Sequence, residues 1–211
     1  MSNLKQIKAV LFDMDGVLID AKDWHYEALN EALALFGMSI SRHDHLVSFD
    51  GLSTKTKLEK LTISENLPED LHCFINELKQ KFTMQHIYNK CTPFYSHQYA
   101  LSNLKQRGYK LGVCSNSIRN SIDVMMELAA LNPYLDKVWS AEDVSASKPD
   151  PEIYIKAIEH FNLTPDQVVT LEDNENGINA AKASGAHCMV VEDVSDVNIE
   201  SISSFIAKIE S

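Results

Sequence analysis

The stretch Val10-Leu11-Phe12-Asp13-Met14-Asp15-Gly16 is an apolar run that ends in two carboxylates one residue apart. An apolar run closed by a glycine predicts a buried parallel strand, and its carboxyl end is where open α/β sheets bind ligands. Two carboxylates placed this close repel each other unless a cation lies between them or their pKa values separate. The pair therefore indicates a metal site, a nucleophile with a proton donor, or both; the plain structural alternative is a solvated acidic turn.

The composition is that of an ordinary globular protein: 211 residues, 45% hydrophobic, with a net charge of -11. This length allows one large α/β domain or a core with a smaller insertion. The acidic charge argues against nucleic acid as a partner, and the apolar runs are too short to cross a bilayer. Because the first residues lack the apolar segment of a secretory signal, we expect a cytoplasmic protein with reduced cysteines. The oligomeric state stays open.

Apolar residues between residues 20 and 90 recur at helical spacing. One helix is indicated by Leu29, Ala32, Leu33 and Phe36, and a second by the repeat that runs from 71 to 82. The stretch 39–68 between them shows no strand pattern. We interpret its histidines, at 43 and 45, as parts of an exposed loop rather than of a metal site, because no third ligand follows at a suitable spacing. The segment is predicted to be all-helical.

Beyond Pro93 the pattern changes to short strands separated by helical segments. Strands are predicted at 110–114, 137–139, 167–171 and 187–191, and a closing helix over 202–209. This alternation is typical of an α/β protein with a doubly wound, Rossmann-like parallel sheet. Since the first strand is needed to complete that sheet, we predict a catalytic core of residues 1–19 and 91–211 with a helical cap, residues 20–90, inserted after strand one.

Three later strand ends carry polar residues that complement the acidic pair: Ser115-Asn116-Ser117, Ser147-Lys148-Pro149-Asp150-Pro151 and Glu172-Asp173-Asn174-Glu175-Asn176-Gly177. Carboxyl ends of parallel strands face one crevice, so these groups should meet there. A carboxylate can attack phosphorus, and hydroxyl and ammonium donors stabilise the phosphoryl oxygens. A hard cation such as Mg²⁺ would offset the repulsion between carboxylate and phosphate.

Each of these groups also has a simple structural explanation. Ser115 could cap a helix, Lys148 could be a solvated loop lysine, and Glu172-Asp173 could favour the positive end of the next helix. Four complementary groups in order at four strand ends favour a phosphoryl site over coincidence.

The motifs Asp13-Met14-Asp15-Gly16-Val17-Leu18, Ser115-Asn116, Lys148-Pro149-Asp150-Pro151 and Glu172-Asp173 with Gly177 resemble those of the haloacid dehalogenase superfamily. The similar subgroup carries a helical cap after the first strand and includes phosphoglycolate phosphatases and β-phosphoglucomutase-like phosphatases. The resemblance implies that Asp13 is the nucleophile that forms an aspartyl-phosphate and that Asp15 is the general acid and base. It also implies that the phosphoryl group is bound by Ser115, Asn116 and Lys148. It implies that Mg²⁺ is bound by the Asp13 carboxylate, the Asp15 backbone carbonyl and Asp173, and by Glu172 either directly or through water.

The superfamily contains several reactions, so the fold alone does not choose among them. Dehalogenases of this family lack an acid equivalent to Asp15, and its presence therefore indicates phosphoryl chemistry. The resemblance implies a phosphatase acting on a small phosphorylated metabolite, such as a sugar phosphate.

Two alternatives remain. A sugar phosphomutase of the β-phosphoglucomutase type is favoured by His25, which stands at the place of a cap-hinge histidine. It is disfavoured by Thr54 and Asp50, which stand where those mutases have an arginine and a lysine. A non-catalytic phospho-switch is disfavoured by the inserted helical block. His25, Thr54 and Lys55 are the cap residues that we expect to contact substrate.

Overall fold

The computed structural model describes residues 6–49 and 52–211. It divides into two compact units, of which the first comprises Met1–Asp20 with Thr92–Ser211 and the second comprises Ala21–Cys91. Asp50, the residue that stands where the mutases have a lysine, lies outside the described residues.

The first unit is built on a parallel sheet. Its strands in the described part of the chain are β1 (Ala9–Phe12), β2 (Lys110–Cys114), β3 (Lys137–Trp139), β4 (Val168–Glu172) and β5 (His187–Val190), in the order β3-β2-β1-β4-β5. Every residue of β1 is fully buried, because this central strand has a neighbour on each side and cover on both faces. The apolar run at 10–12 is therefore the middle of the sheet.

The α-helices in the described part of the first unit are α5 (Tyr95–Gln106), α6 (Arg119–Leu128), α7 (Glu152–His160), α8 (Glu175–Ala183) and α9 (Ile199–Glu210). Alternate residues of a strand face opposite sides of a sheet, and Ala9 and Leu11 share one buried cluster with residues of α7 and α8. Helix α5 packs against α9. The predicted α/β fold with a doubly wound parallel sheet is confirmed.

The strand order changes direction at β1, because β2 and β3 lie on one side of it and β4 and β5 on the other. In open α/β sheets, ligands bind at such a switch point, beyond the carboxyl ends of the strands. The backbone N–H of Asp13 donates to Leu171 O at 3.0 Å, which continues the ladder between β1 and β4 by one residue. This bond holds the first carboxylate beside the end of β4.

The second unit contains α1 (Lys22–Ala34), α2 (Arg42–Asp44), a π-helical turn (His45–Phe49), α3 (Thr54–Glu65) and α4 (His72–Lys90). Its own apolar cluster includes Leu33, Leu58 and Ile75. Residues 21–49 and 52–91, the described part of this unit, contain no strand, as the helical periodicity predicted.

His45 corrects one expectation. We predicted an exposed loop there, but His45 is only 5% exposed and its ring lies 4.7 Å from that of Tyr26. The π-helical turn that starts at His45 brings the ring into the unit, and no spacing rule in the sequence signals such a turn.

None of the helices within 6–49 and 52–211 is long and apolar enough to cross a membrane. None of the four cysteines, all of which lie within the described residues, forms a disulfide bond.

Candidate active site

Asp13 follows directly after β1, and its side chain is 8% exposed. One of its carboxylate oxygens, Oδ1, accepts a hydrogen bond from Lys148 Nζ at 2.9 Å. A buried carboxylate needs such a partner, because an isolated charge in the protein interior is strongly disfavoured. The strand thus delivers a carboxylate that is fixed in position at the floor of the crevice.

Asp15 lies in the turn that leaves β1. Gly16 adopts a φ of +86°, a conformation that disfavours side chains, and its N–H donates to Ile19 O at 2.7 Å. The turn leaves Asp15 half-buried, and Ser117 Oγ donates to Asp15 Oδ2 at 3.0 Å. Asp15 is therefore more accessible than Asp13 and is oriented by a hydroxyl.

Ser115 and Asn116 follow β2. Ser115 is 1% exposed and its Oγ accepts from the N–H of Ser117 at 3.0 Å, so it does not cap α6, whose N-cap is Ile118. The Asn116 side chain holds the backbone of Lys148 at both ends: its Oδ1 accepts from the Lys148 N–H at 3.0 Å and its Nδ2 donates to the Lys148 carbonyl at 3.3 Å. This pair of bonds fixes the loop that carries the lysine.

Lys148 is buried, with a side chain only 3% exposed. Its ammonium donates to Asp13 Oδ1 at 2.9 Å, to Glu172 Oε1 at 2.7 Å and to the carbonyl of Cys114 at 2.7 Å. These three bonds use all the donors that an ammonium group has. The alternative of a solvated loop lysine is excluded by this burial.

Glu172 ends β4 with no exposed surface. Its Oε1 accepts from Lys148 Nζ and from the hydroxyl of Tyr154. Its Oε2 is buried and has no hydrogen-bond partner among the described residues. Asp173 follows and is half-buried.

Gly177, in the first turn of α8, makes room for the Glu172 carboxylate. A Cβ atom at Gly177 would lie 1.9 Å from Glu172 Oε2 and 2.2 Å from its Cδ. The Gly177 N–H donates to Asn174 Oδ1 at 3.0 Å, so the helix is capped while its backbone approaches the glutamate. Only glycine fits at this position without a shift of the acid.

Burial and neighbouring charges both shift the pKa values of the site. Burial and the nearby charge of Glu172 raise the pKa of Asp13 well above its ordinary value. Burial alone would lower the pKa of Lys148, but the charges of Asp13 and Glu172 outweigh it and raise that pKa. The two carboxylates therefore favour the charged form of the lysine.

One oxygen from each of Asp13, Glu172 and Asp173 lies within 4.8 Å of the others. Two of these carboxylates, those of Asp13 and Glu172, share the Lys148 ammonium, and one buried oxygen of Glu172 has no donor among the described residues. Carboxylate oxygens are the ligands that hard divalent cations prefer. The residues present therefore fit a divalent cation, whose charge would offset the excess of negative charge.

The predicted cap residues lie in the second unit. His25 Nδ1 is 3.1 Å from Lys79 Nζ in α4. Thr54 begins α3 and is half-buried. Lys55 is 84% exposed and its Nζ lies 3.9 Å from Glu59 Oε1. Their expected contacts with substrate stay predictions.

Sequence reasoning missed two residues of the site, Tyr154 and Ser117. Tyr154 shares the buried face of α7 with Ile153 and Ala157, so its spacing indicated only a core position. Ser117 stands two residues after Ser115, beyond the end of β2, but nothing in the sequence indicates its bond to Asp15.

Comparison with known proteins shows which family this chain resembles. The sequence pattern of the family described as "haloacid dehalogenase-like hydrolase" matches residues 10–191. A phosphorylated carbohydrates phosphatase from Thermotoga maritima is 29% identical over 184 residues, which cover 85% of this chain and 82% of that protein. A phosphoglycolate phosphatase from Aquifex aeolicus is 26% identical over 179 residues, covering 85% of this chain and 82% of that protein.

Among solved structures, a β-phosphoglucomutase from Clostridium difficile superposes with a TM-score of 0.82 at 23% identity, covering 96% of this chain and 98% of that chain. At this level of sequence identity, the structural similarity shows a shared fold and not a shared activity. The chain belongs to the haloacid dehalogenase-like hydrolase family, which confirms the family predicted from the four motifs. The curated relatives named above support the prediction of a phosphatase.

Proposed function

We propose that this protein is a Mg²⁺-dependent phosphatase that hydrolyses a small phosphorylated metabolite through an aspartyl-phosphate on Asp13. The observation that carries the proposal is the Asp13 carboxylate at the switch point of the sheet, bound to Lys148 and grouped with two further acids. We assign catalysis to residues 1–19 and 91–211 and substrate selection to the cap, residues 20–90.

In the first step, a carboxylate oxygen of Asp13 attacks phosphorus, the bond to the leaving oxygen breaks, and that oxygen takes a proton from Asp15. In the second step, Asp15 accepts a proton from water, which attacks the same phosphorus and releases phosphate from Asp13. Ser117 Oγ, bonded to Asp15 Oδ2, orients this acid. The greater exposure of Asp15 suits a group that must reach the leaving oxygen and then water.

Lys148 and Ser115 bind the phosphoryl oxygens. All three donors of Lys148 are engaged within the protein, one of them with Asp13 Oδ1. When Asp13 is phosphorylated to the acyl phosphate, its carboxylate loses its negative charge, so this donor can turn to a phosphoryl oxygen without leaving a buried carboxylate unpaired. Asn116 contributes by holding the Lys148 backbone, and its own contact with phosphate stays a prediction.

Asp13, Asp173, Glu172 and the backbone carbonyl of Asp15 would hold Mg²⁺. The fit rests on the grouping of the Asp13, Glu172 and Asp173 carboxylates and on the Glu172 oxygen that has no donor among the described residues. When bound, the cation neutralises charge, so that an anionic nucleophile can approach an anionic phosphate.

The substrate class is a small phosphorylated metabolite, and a phosphorylated carbohydrate is the first to test. This choice is supported by the names of relatives, among them the carbohydrate phosphatase of Thermotoga maritima and a hexitol phosphatase of Escherichia coli that is 28% identical over 193 residues. His25, Thr54 and Lys55 offer imidazole, hydroxyl and ammonium groups to the non-reacting part of such a substrate.

The test is a screen of sugar, polyol and glycolate phosphates with purified protein and Mg²⁺, in which both free phosphate and isomerised sugar phosphate are measured. The key variant is Asp13→Asn. The matched control is Asp123→Asn, because Asp123 is an exposed aspartate on α6 away from the acidic cluster.

Release of phosphate by the wild type and Asp123→Asn, but not by Asp13→Asn, supports the proposal. Isomerisation without net phosphate release would replace it with the mutase. A stable phosphoprotein without turnover of any ester would replace it with the phospho-switch. Turnover by a clean Asp13→Asn preparation would refute the role of Asp13.

A further inference from the structure

Tyr154 touches both members of the buried ion pair at the centre of the site. Its hydroxyl donates to Glu172 Oε1, the same oxygen that accepts from Lys148 Nζ at 2.7 Å. Its ring lies under the same ammonium, with Lys148 Nζ 5.0 Å from the ring centroid. A cation over an aromatic face is attracted to it, most strongly where water is excluded.

We propose that Tyr154 is a positioning residue for the cation site: its hydroxyl fixes the Glu172 carboxylate so that Oε2 is left for the metal. This inference rests on the proposed function, because it takes Glu172 as a metal ligand.

The two oxygens of Glu172 have different surroundings. Oε1 accepts two hydrogen bonds, from Tyr154 and Lys148, whereas Oε2 is buried and has no partner among the described residues. Two donors on one oxygen define the orientation of the carboxylate plane better than a single flexible ammonium does. Without the hydroxyl, the carboxylate can turn about its last bond, and Oε2 loses its fixed direction.

The alternative is that Tyr154 is only a core residue. Its ring lies in the apolar cluster with Leu11, Cys114 and Ile153, and it has no exposed surface. That role depends on the ring and not on the hydroxyl. Tyr154→Phe therefore separates the two roles, because it keeps the ring, its packing and its contact with the ammonium.

A matched control is available in the second unit. The hydroxyl of Tyr26 is part-buried and donates to the backbone carbonyl of Ile40 at 3.0 Å. Tyr26→Phe removes a comparable hydroxyl that has no acidic partner. Any loss of metal affinity that follows merely from removing a tyrosine hydroxyl should appear in both variants.

The experiment is a titration of the substrate-free protein with Mn²⁺, in which unbound Mn²⁺ is measured by electron paramagnetic resonance. Groups that orient metal ligands typically contribute 10- to 100-fold to metal affinity, so Tyr154→Phe should raise the Kd for Mn²⁺ by about 10- to 100-fold. Tyr26→Phe should leave it unchanged. In turnover assays, Tyr154→Phe should need more Mg²⁺ for half-maximal rate while the KM for a small aryl phosphate stays within about twofold, because Tyr154 does not contact substrate.

The outcomes are distinct. Equal Mn²⁺ affinity of Tyr154→Phe and wild type would overturn the role of Tyr154 and leave the metal site standing. An equal loss in Tyr154→Phe and Tyr26→Phe would also overturn it, because the effect would then be a general one. If the wild type itself binds no Mn²⁺, the proposed metal-dependent function fails before the variant is considered.

Discussion

Replacing Gly177 with alanine should displace the Glu172 carboxylate. The added Cβ would lie 1.9 Å from Glu172 Oε2, whereas an ordinary contact starts near 3.4 Å, so the carboxylate or the helix must move by about 1.5 Å. Glu172 cannot retreat that far and keep its 2.7 Å bond to Lys148. The substitution therefore couples a steric clash to the loss of a buried charged hydrogen bond.

The magnitude follows from three contributions. Overpacking a filled interior costs about 1 to 3 kcal/mol, and losing a hydrogen bond to a charged group costs about 1.5 to 3 kcal/mol. Alanine returns about 1 kcal/mol through its better helix propensity. We expect Gly177→Ala to lower the free energy of unfolding by about 1.5 to 5 kcal/mol, measured by urea denaturation followed by circular dichroism.

A double-mutant cycle identifies the cause. In a Glu172→Ala background the clashing carboxylate is absent, so adding Gly177→Ala should be neutral or stabilising by up to about 1 kcal/mol. Asn179→Ala, at an exposed position of the same helix, reports helix propensity alone. The reasoning is refuted if Gly177→Ala costs the same free energy with and without the Glu172 side chain.

The remaining predictions concern the chemistry. Chelation of divalent cations should abolish phosphate release and Mg²⁺ should restore it, whereas Ca²⁺ should inhibit, because its larger coordination shell misplaces the nucleophile; full activity in excess chelator would contradict the metal site. Asp15→Ala should slow esters with poor leaving groups far more than an activated aryl phosphate, whereas Lys148→Ala should slow both; equal losses for Asp15→Ala across leaving groups would remove its acid role. Thr54→Ala and Lys55→Ala should shift relative kcat/KM among natural phosphates by up to about 1 to 3 kcal/mol and barely change hydrolysis of a small aryl ester; an unchanged preference would mean that these side chains do not select substrate.

The strands of the sheet could be predicted because their apolar runs are short and end in turn residues. The predicted strands at 110–114 and 137–139 coincide with β2 and β3. The prediction for β4 was 167–171, but the strand runs from Val168 to Glu172. A charged residue is normally taken as the end of a buried strand, because burying its charge is costly. Glu172 nevertheless belongs to β4, because Lys148 and Tyr154 donate hydrogen bonds to its carboxylate.

The sequence could also identify the charged groups of the site, since parallel strands bring their carboxyl ends together. It could not show how those groups are held. The two bonds from the Asn116 side chain to the Lys148 backbone join residues 32 positions apart, and the Tyr154 hydroxyl, on helix α7, reaches the glutamate that ends β4. Such contacts depend on where a loop or a helix lies against the sheet, which no local spacing encodes.

The buried groups of this site stabilise one another, so their catalytic and structural roles cannot be separated by removing one of them. Asp13 and Glu172 share one ammonium, and burial disfavours each charge when it is alone. Lys148→Ala would leave two carboxylates in the interior without a lysine, a change that typically costs about 3 to 5 kcal/mol of stability. Mg²⁺ would recover part of this loss by supplying positive charge. A rate lost in such a variant is therefore evidence for a catalytic role only when unfolding is measured on the same preparation with and without the cation.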